Sequence, residues 1–217
     1  MKEKEIIKSG SNIAVIVAHP DDETLWCGGT ILENPFSDWF VACLCRKNDS
    51  DRAPKFQKVL SILRARGEMG DLDDGPDQLP LAMQEVKKAV LELLPQEKFD
   101  LIITHYPSGE YTRHKRHEEV SGAVIELWQE DKIRTAALFT FAYEDGNKQY
   151  LPRKQASAGI QIKLKEETYD LKYRIITEVY GFPPDGFEAL TTPKEEAFWK
   201  FDTSLAALNW LEKTRNQ

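Results

Sequence analysis

Two kinds of hydrophobic pattern alternate along the chain. Continuous apolar runs stand at Ile13–Ala18, Trp39–Arg46, Phe99–Thr104 and Ala136–Tyr143. Such runs, bounded by turn or charged residues, mark strands buried on both faces. Between them lie stretches with apolar residues three and four apart. One covers 22–33. Lys55–Arg66 carries Phe56, Val59, Leu60 and Leu63, and Met83–Leu94 carries Val86, Val90, Leu93 and Leu94. The stretch from about 117 to 131 carries Val120, Val124 and Leu127. Each predicts a helix. Strand and helix alternate through residue 143, which predicts an α/β, Rossmann-like fold: a mostly parallel sheet with helices on both faces. Ligands in such sheets bind at the carboxyl ends of the strands.

Other segments read differently. Gly28-Gly29 inside the first helix reads as close helix packing, or as room for a second loop at the site. Gly67–Pro80 holds Asp71, Asp73 and Asp74 without the spacing of a calcium loop, so it reads as a solvated turn. Glu144–Gly159 reads as a loop or hairpin tip, Ile160–Leu164 as a half-exposed strand, and Glu167–Tyr180 as a helix. Gly181–Pro193 reads as a long turn. We expect a single domain over 1–217 with a helical C-terminal segment over 194–213.

Composition narrows the classes. The 217 residues include 36 acidic and 29 basic side chains, a net charge of −7, so no basic footprint for nucleic acid is present. No apolar run approaches the ~18 residues of a membrane helix. The opening Met-Lys-Glu-Lys-Glu has no apolar region of a signal peptide. The expectation is a cytoplasmic protein with neither a membrane nor a nucleic-acid partner. Cys27, Cys43 and Cys45, an odd and sparse set, fit reduced thiols. Cys43 and Cys45 share one face of the second strand and read as core. Phe198, Trp199, Phe201 and Trp210 pack on the core or form a subunit interface, which leaves a homo-oligomer open.

The chemistry gathers at two strand ends. His19-Pro20-Asp21-Asp22-Glu23 follows the first strand. His105, His114 and His117, the other three histidines of the chain, follow the third. Catalytic zinc takes three protein ligands and leaves one position open. The first stretch offers His19 with Asp21 or Asp22; the second offers His114 or His117. One carboxylate then remains as general base for a water, and one histidine to stabilise an oxyanion or protonate a leaving group. Two imidazoles and a carboxylate also form the facial triad of non-haem iron oxygenases. A non-catalytic metal or sugar-binding module is a third reading. Ligands at strand-to-helix turns, with an acid and a histidine left over, speak for hydrolysis.

Ala18-His19-Pro20-Asp21-Asp22-Glu23 with Gly28-Gly29, and Gly109-Glu110-Tyr111-Thr112-Arg113-His114-Lys115-Arg116-His117, resemble the two motifs of the PIG-L/LmbE-like zinc-dependent N-acetyl deacetylases. The resemblance implies a hydrolase that removes acetyl from an N-acetylglucosamine-like substrate, a small amino-sugar conjugate. It implies that His19, Asp22 and His117 hold Zn2+, with iron or cobalt compatible with the same ligands. It implies Asp21 as general base and His114 as the assisting histidine. The family usually carries an arginine and a Gly-Glu-Gly-like loop after its second strand. This chain has Arg46-Lys47-Asn48-Asp49-Ser50-Asp51-Arg52, so Arg52 is the candidate substrate contact; Tyr111 reads either as a second one, facing the intermediate, or as an aromatic anchor of its loop. Glu23 reads as support for the helix start. His105 has no role in the resemblance and reads as a packing residue.

Overall fold

The computed structural model describes residues 6–111 and 114–215. The opening Met-Lys-Glu-Lys-Glu, and Thr112 and Arg113 of the second motif, lie outside the described residues. The first half follows the predicted alternation: β1 (Asn12–Val17), α1 (Asp22–Glu33), β2 (Asp38–Cys45), α2 (Arg52–Leu63), β3 (Arg66–Leu72), α3 (Met83–Leu93), β4 (Lys98–Phe99), β5 (Leu101–Thr104) and α4 (Lys115–Gln129). The rest comprises β6 (Arg134–Thr135), β7 (Leu138–Phe141), β8 (Tyr143–Glu144), β9 (Arg153–Lys154), β10 (Ile160–Lys163), α5 (Glu166–Arg174) with a π-helical turn at Ile175–Val179, α6 (Phe187–Thr191), β11 (Glu195–Phe201) and α7 (Ser204–Arg215).

Seven strands form the main sheet in the order β10-β11-β7-β5-β1-β2-β3. Strands β7, β5, β1, β2 and β3 are parallel, and β11 runs against both of its neighbours. Alternation along β1 splits the core in two. Ile13, Val15 and Val17 face one cluster with Trp26 and Phe56; Ala14 and Ile16 face the other with Val90 and Val124. Helices therefore cover both faces, as the two-sided burial of β1 requires. The chain moves outward from β1 to β2 and β3, then returns to place β5 on the other side. That reversal opens a crevice between the loops after β1 and β5, where open α/β sheets bind ligands.

Four expectations are corrected. The segment 194–213 is not wholly helical: Glu195–Phe201 is the antiparallel strand β11, and only α7 is helix. Its buried positions run together from Glu196 to Phe198, so no alternation marks it, and its aromatics pack within the chain: Phe198 is buried, and the Trp199 and Phe201 rings tilt against Trp210. The acidic turn 67–80 begins as β3, whose Gly67 lies where a Cβ would stand 2.6 Å from the Val41 carbonyl. Weak hydrophobicity concealed an edge strand. The turn 181–193 contains α6. The predicted helix 167–180 passes into the π-helical turn at Ile175. Of the two readings of Gly28-Gly29, close packing holds, because a Cβ on Gly29 would stand 2.4 Å from Leu164. Cys43 and Cys45 are buried, as expected.

Candidate functional site

The loop after β1 turns sharply. Asp21 takes φ 132°, ψ −31° at the start of α1, a conformation that costs a non-glycine residue about 1–3 kcal/mol. Aspartate is a favoured residue at a helix N-cap. Asp21 occupies the cap position, yet its side chain makes no capping bond and lines a cavity of about 440 Å³. Glu23 holds the strained turn: it accepts the Asp21 N–H at 3.0 Å, the Thr24 hydroxyl at 2.6 Å and the Tyr180 hydroxyl at 2.7 Å. Its expected supporting role is thus given a geometry.

The loop after β5 makes the opposite wall. Gly109, with φ +72°, closes a turn in which its N–H meets the Tyr106 carbonyl at 2.9 Å. Only glycine adopts that φ without strain. The turn sends the Glu110 carboxylate back under the loop, fully buried. There it accepts the Tyr106 N–H at 2.8 Å, His105 Nδ1–H at 3.0 Å and His117 Nδ1–H at 2.6 Å. Burial alone would raise its pKa; the two imidazoles outweigh that and hold it down at about 2.

Three atoms converge where the loops meet. His19 Nδ1 lies 3.3 Å from Asp22 Oδ2 and 3.2 Å from His117 Nε2, and the last two are 3.3 Å apart. The other nitrogen of each imidazole is paired with a carboxylate: His117 Nδ1 with Glu110, and His19 Nε2 with Asp74 at 3.1 Å. Those pairs fix the tautomers, so both free lone pairs face Asp22. Two imidazole nitrogens and a carboxylate oxygen, which also accepts the His19 N–H at 2.9 Å, thus face one another, an arrangement that a cation would satisfy. Accordingly His19 and His117 both have raised pKa values: burial opposes the charged forms, and Asp22 leads the groups that overcome it.

His105 sits beside this triangle without joining it. Its Nε2 accepts the Ala18 N–H at 2.9 Å, its Nδ1 serves Glu110, and its ring stacks on His117 at 3.9 Å. Burial opposes a second proton on the ring, while Glu110 and Asp22 draw one towards it. The Ala18 N–H aimed at Nε2 leaves no place for that proton, so the ring is neutral. Its donor atoms group with Asp22 and His117 as a cation site, as His114 does with His19 and His117. The Ala18 bond occupies the lone pair His105 would need.

The two adjacent aspartates are driven apart. Burial and the Asp22 charge raise the pKa of Asp21 well above the usual range, against Arg52. Burial also acts on Asp22, but His117 and His105 reverse it and hold its pKa well down. His114 lies at the mouth of α4 with its ring stacked 4.2 Å from His117. Burial, then the neighbouring His117 and His19, lowers its pKa to about 3. Its Nδ1 finds no hydrogen-bond partner among the described residues. Arg52 reaches Asp21 at 3.5 Å and is steadied by the Phe182 ring, 4.4 Å away. Tyr111 lines the cavity edge-on to His114 at 5.6 Å.

All seven site residues expected from sequence therefore meet in one crevice. Sequence reasoning passed over Glu110, Asp74 and Arg46. Asp74 belongs to the loop read as a solvated turn, and is instead 7% exposed at its side chain, bound to Arg46 at 2.6 Å and to His19. Arg46, to which the sequence assigns no role of its own in the loop after the second strand, lines the cavity.

Among solved structures, the fold resembles N,N'-diacetylchitobiose deacetylase from Pyrococcus horikoshii, with a TM-score of 0.67, 16% identity, and 92% of this chain and 85% of that chain covered. The zinc-inhibited form of teicoplanin deacetylase Orf2 gives 0.64, 14%, 88% and 97%. GalB, the 4-carboxy-2-hydroxymuconate hydratase of Pseudomonas putida KT2440, gives 0.54, 15%, 88% and 95%. At these identities the likeness is one of fold, and a fold shared by deacetylases and a hydratase does not name a reaction. The sequence is more specific. The GlcNAc-PI de-N-acetylase (PIG-L) family model matches residues 14–128, which include both crevice loops and more than half of the chain, so the chain belongs to the GlcNAc-PI de-N-acetylase (PIG-L) family.

Proposed function

We propose that this protein is a metal-dependent deacetylase that hydrolyses the N-acetyl group of an N-acetylglucosamine-type conjugate, with His19, Asp22 and His117 as metal ligands. The observation that carries the reading is the triangle of Nδ1, Oδ2 and Nε2 with edges of 3.2–3.3 Å. Tetrahedral zinc with bonds of ~2.0–2.1 Å separates its ligand atoms by about 3.3 Å. The donor set, two imidazoles and a carboxylate, suits zinc and is compatible with iron or cobalt. When bound, such an ion supplies Lewis acidity toward the amide carbonyl and brings a water molecule's pKa near neutrality.

The chain's own residues supply the rest. Asp21, unligated and with its pKa raised, takes a proton from the attacking water and returns it to the departing amine. Asp22, its pKa lowered, remains an anion. His114, neutral at pH 7, donates a hydrogen bond to the developing oxyanion. Arg52, Tyr111 and the polar wall of the cavity contact the sugar. No helix among the described residues is long and apolar enough to cross a membrane.

The test is bound metal by elemental analysis with acetate release from N-acetylated sugars. Chelation should abolish release and zinc restore it. Asp21→Asn should keep the metal and lose about 10²–10⁴-fold in kcat, the usual worth of a general base. Full metal-dependent activity in that variant would remove Asp21 from its role.

A further inference from the structure

Beyond the catalytic crevice a second cavity, about 560 Å³, opens alongside it and shares Tyr111, Phe187 and Glu188 with the first. The two walls differ in chemistry. The inner cavity is lined by histidines, aspartates and arginines, which match the hydroxyls of a sugar. The outer one is walled by Tyr111, Tyr150, Leu151, Pro152 and Phe187, with Lys148, Gln149 and two carboxylates completing it. Leu151 is 45% exposed and Phe187 36%, an apolar investment in solvent that folding alone does not explain.

The outer wall is also held in shape. Gly146, Asn147 and Lys148 all have φ near +60°, three consecutive left-handed residues, two of which are not glycine. The turn they make returns Tyr150 to Glu144, whose carboxylate accepts the phenolic hydroxyl at 2.5 Å. Arg153 covers the ring at 3.7 Å. The Phe187 ring meets Tyr111 edge-on at 5.0 Å. A rigid apolar wall reduces the ordering cost of binding.

We propose that this groove is an aglycone subsite: it takes an apolar or aromatic group attached to the amino sugar, while the acetamide is hydrolysed in the inner cavity. Tyr111, Phe187 and Glu188 line both cavities, so a group that leaves the sugar past these residues enters the outer one, whose apolar lining selects it. The inference rests on the deacetylase reading above and names its substrate class more closely.

The test compares kcat/KM for acetate release from the methyl, phenyl and octyl glycosides of N-acetylglucosamine, in both anomeric series. In one series the phenyl or octyl glycoside should exceed the methyl glycoside by about tenfold, the worth of burying a modest apolar group. In Leu151→Glu and in Phe187→Ser that ratio should fall to about twofold. Equal values for all glycosides in the wild type, or a ratio that survives both variants, would overturn the proposal. So would a wild-type dimer that Leu151→Glu dissociates with no glycoside preference, because the groove would then be a subunit interface. If no glycoside is hydrolysed, the deacetylase reading falls. Calorimetry with the methyl and phenyl glucosaminides, the product amines, then decides the groove separately: tighter binding of phenyl supports it, and equal binding overturns it.

Discussion

Two carboxylates perform the same task at the two inward-facing histidines, and they are anchored very differently. Glu110 stands behind His117. It is fully buried, lies seven residues from its histidine, and accepts three N–H donors. Asp74 stands behind His19, 55 residues away in sequence. It reaches the site from a loop that follows the sheet's edge strand, and its partners, Arg46 and Gln78, are themselves partly exposed. One pairing is built into the core. The other is delivered by a loop that something else must hold. The difference teaches that a histidine's orientation can be a local property on one side of a site and a long-range one on the other.

Glu110→Gln should produce the largest effect. An amide presents N–H where three donors already point, so at least one is left unpaired. Metal affinity should fall toward a hundredfold, the upper end for such a partner, and kcat/KM with it. Stability should fall as well. The folded pKa of Glu110, about 2, lies below its ordinary value, so its ionisation stabilises the fold above pH ~4.5. That contribution is lost as pH falls from there through about 2. The difference corresponds to roughly 3 kcal/mol at pH 7. Urea unfolding of metal-free wild type and variant should therefore show a gap at pH 7 that narrows in acid. A gap of constant size would refute the account.

Asp74→Asn should cost less. The aspartate's pKa is held well below the carboxylate range, with burial opposing it and His19 leading the groups that lower it. Yet Arg46, its ionic partner, is 44% exposed at the side chain, where a pair contributes at most about 1 kcal/mol. We expect metal affinity to drop about tenfold with stability nearly unchanged, measured by competition against a chelator and by thermal unfolding. A loss equal to that of Glu110→Gln would erase the contrast between the two sides.

What could be read from the sequence follows the same division. His19, Asp21 and Asp22 fall within four residues, and His114 and His117 on one helix turn, so spacing alone brought them together, and the strands before them were continuous apolar runs. Glu110 lay in plain sight in the second motif, but no spacing rule announces a carboxylate that serves two imidazoles from beneath. Asp74 was unreadable for a different reason. An acidic stretch rich in Gly and Pro has the composition of a solvated turn, and only contacts far apart in sequence show otherwise. The strand β11 escaped because its buried positions, Glu196 to Phe198, run together and begin with a charged residue, so no alternation marks it as a strand.

The smallest effect tests what holds the Asp74 loop. Arg116, two positions after His114, is fully buried. Its guanidinium donates to the Asp73 and Leu79 carbonyls, six residues apart, and pairs with Glu119 at 2.6 Å. Glu119 in turn accepts the Leu81 N–H at 2.9 Å. The fork thus spans the loop on both sides of Asp74. Arg116→Lys keeps the charge beside Glu119 but replaces a planar fork with a single nitrogen that cannot serve both carbonyls. The cost should be about 1 kcal/mol in stability, one hydrogen bond's worth, and a loss of metal affinity smaller than that of Asp74→Asn. Because Arg116 reaches the site only through the Asp74 loop, the two changes should not add. The double variant should bind metal no more weakly than Asp74→Asn alone. Additive losses would mean that Arg116 steadies His117 through α4 instead, and the loop would then owe its position to Arg46.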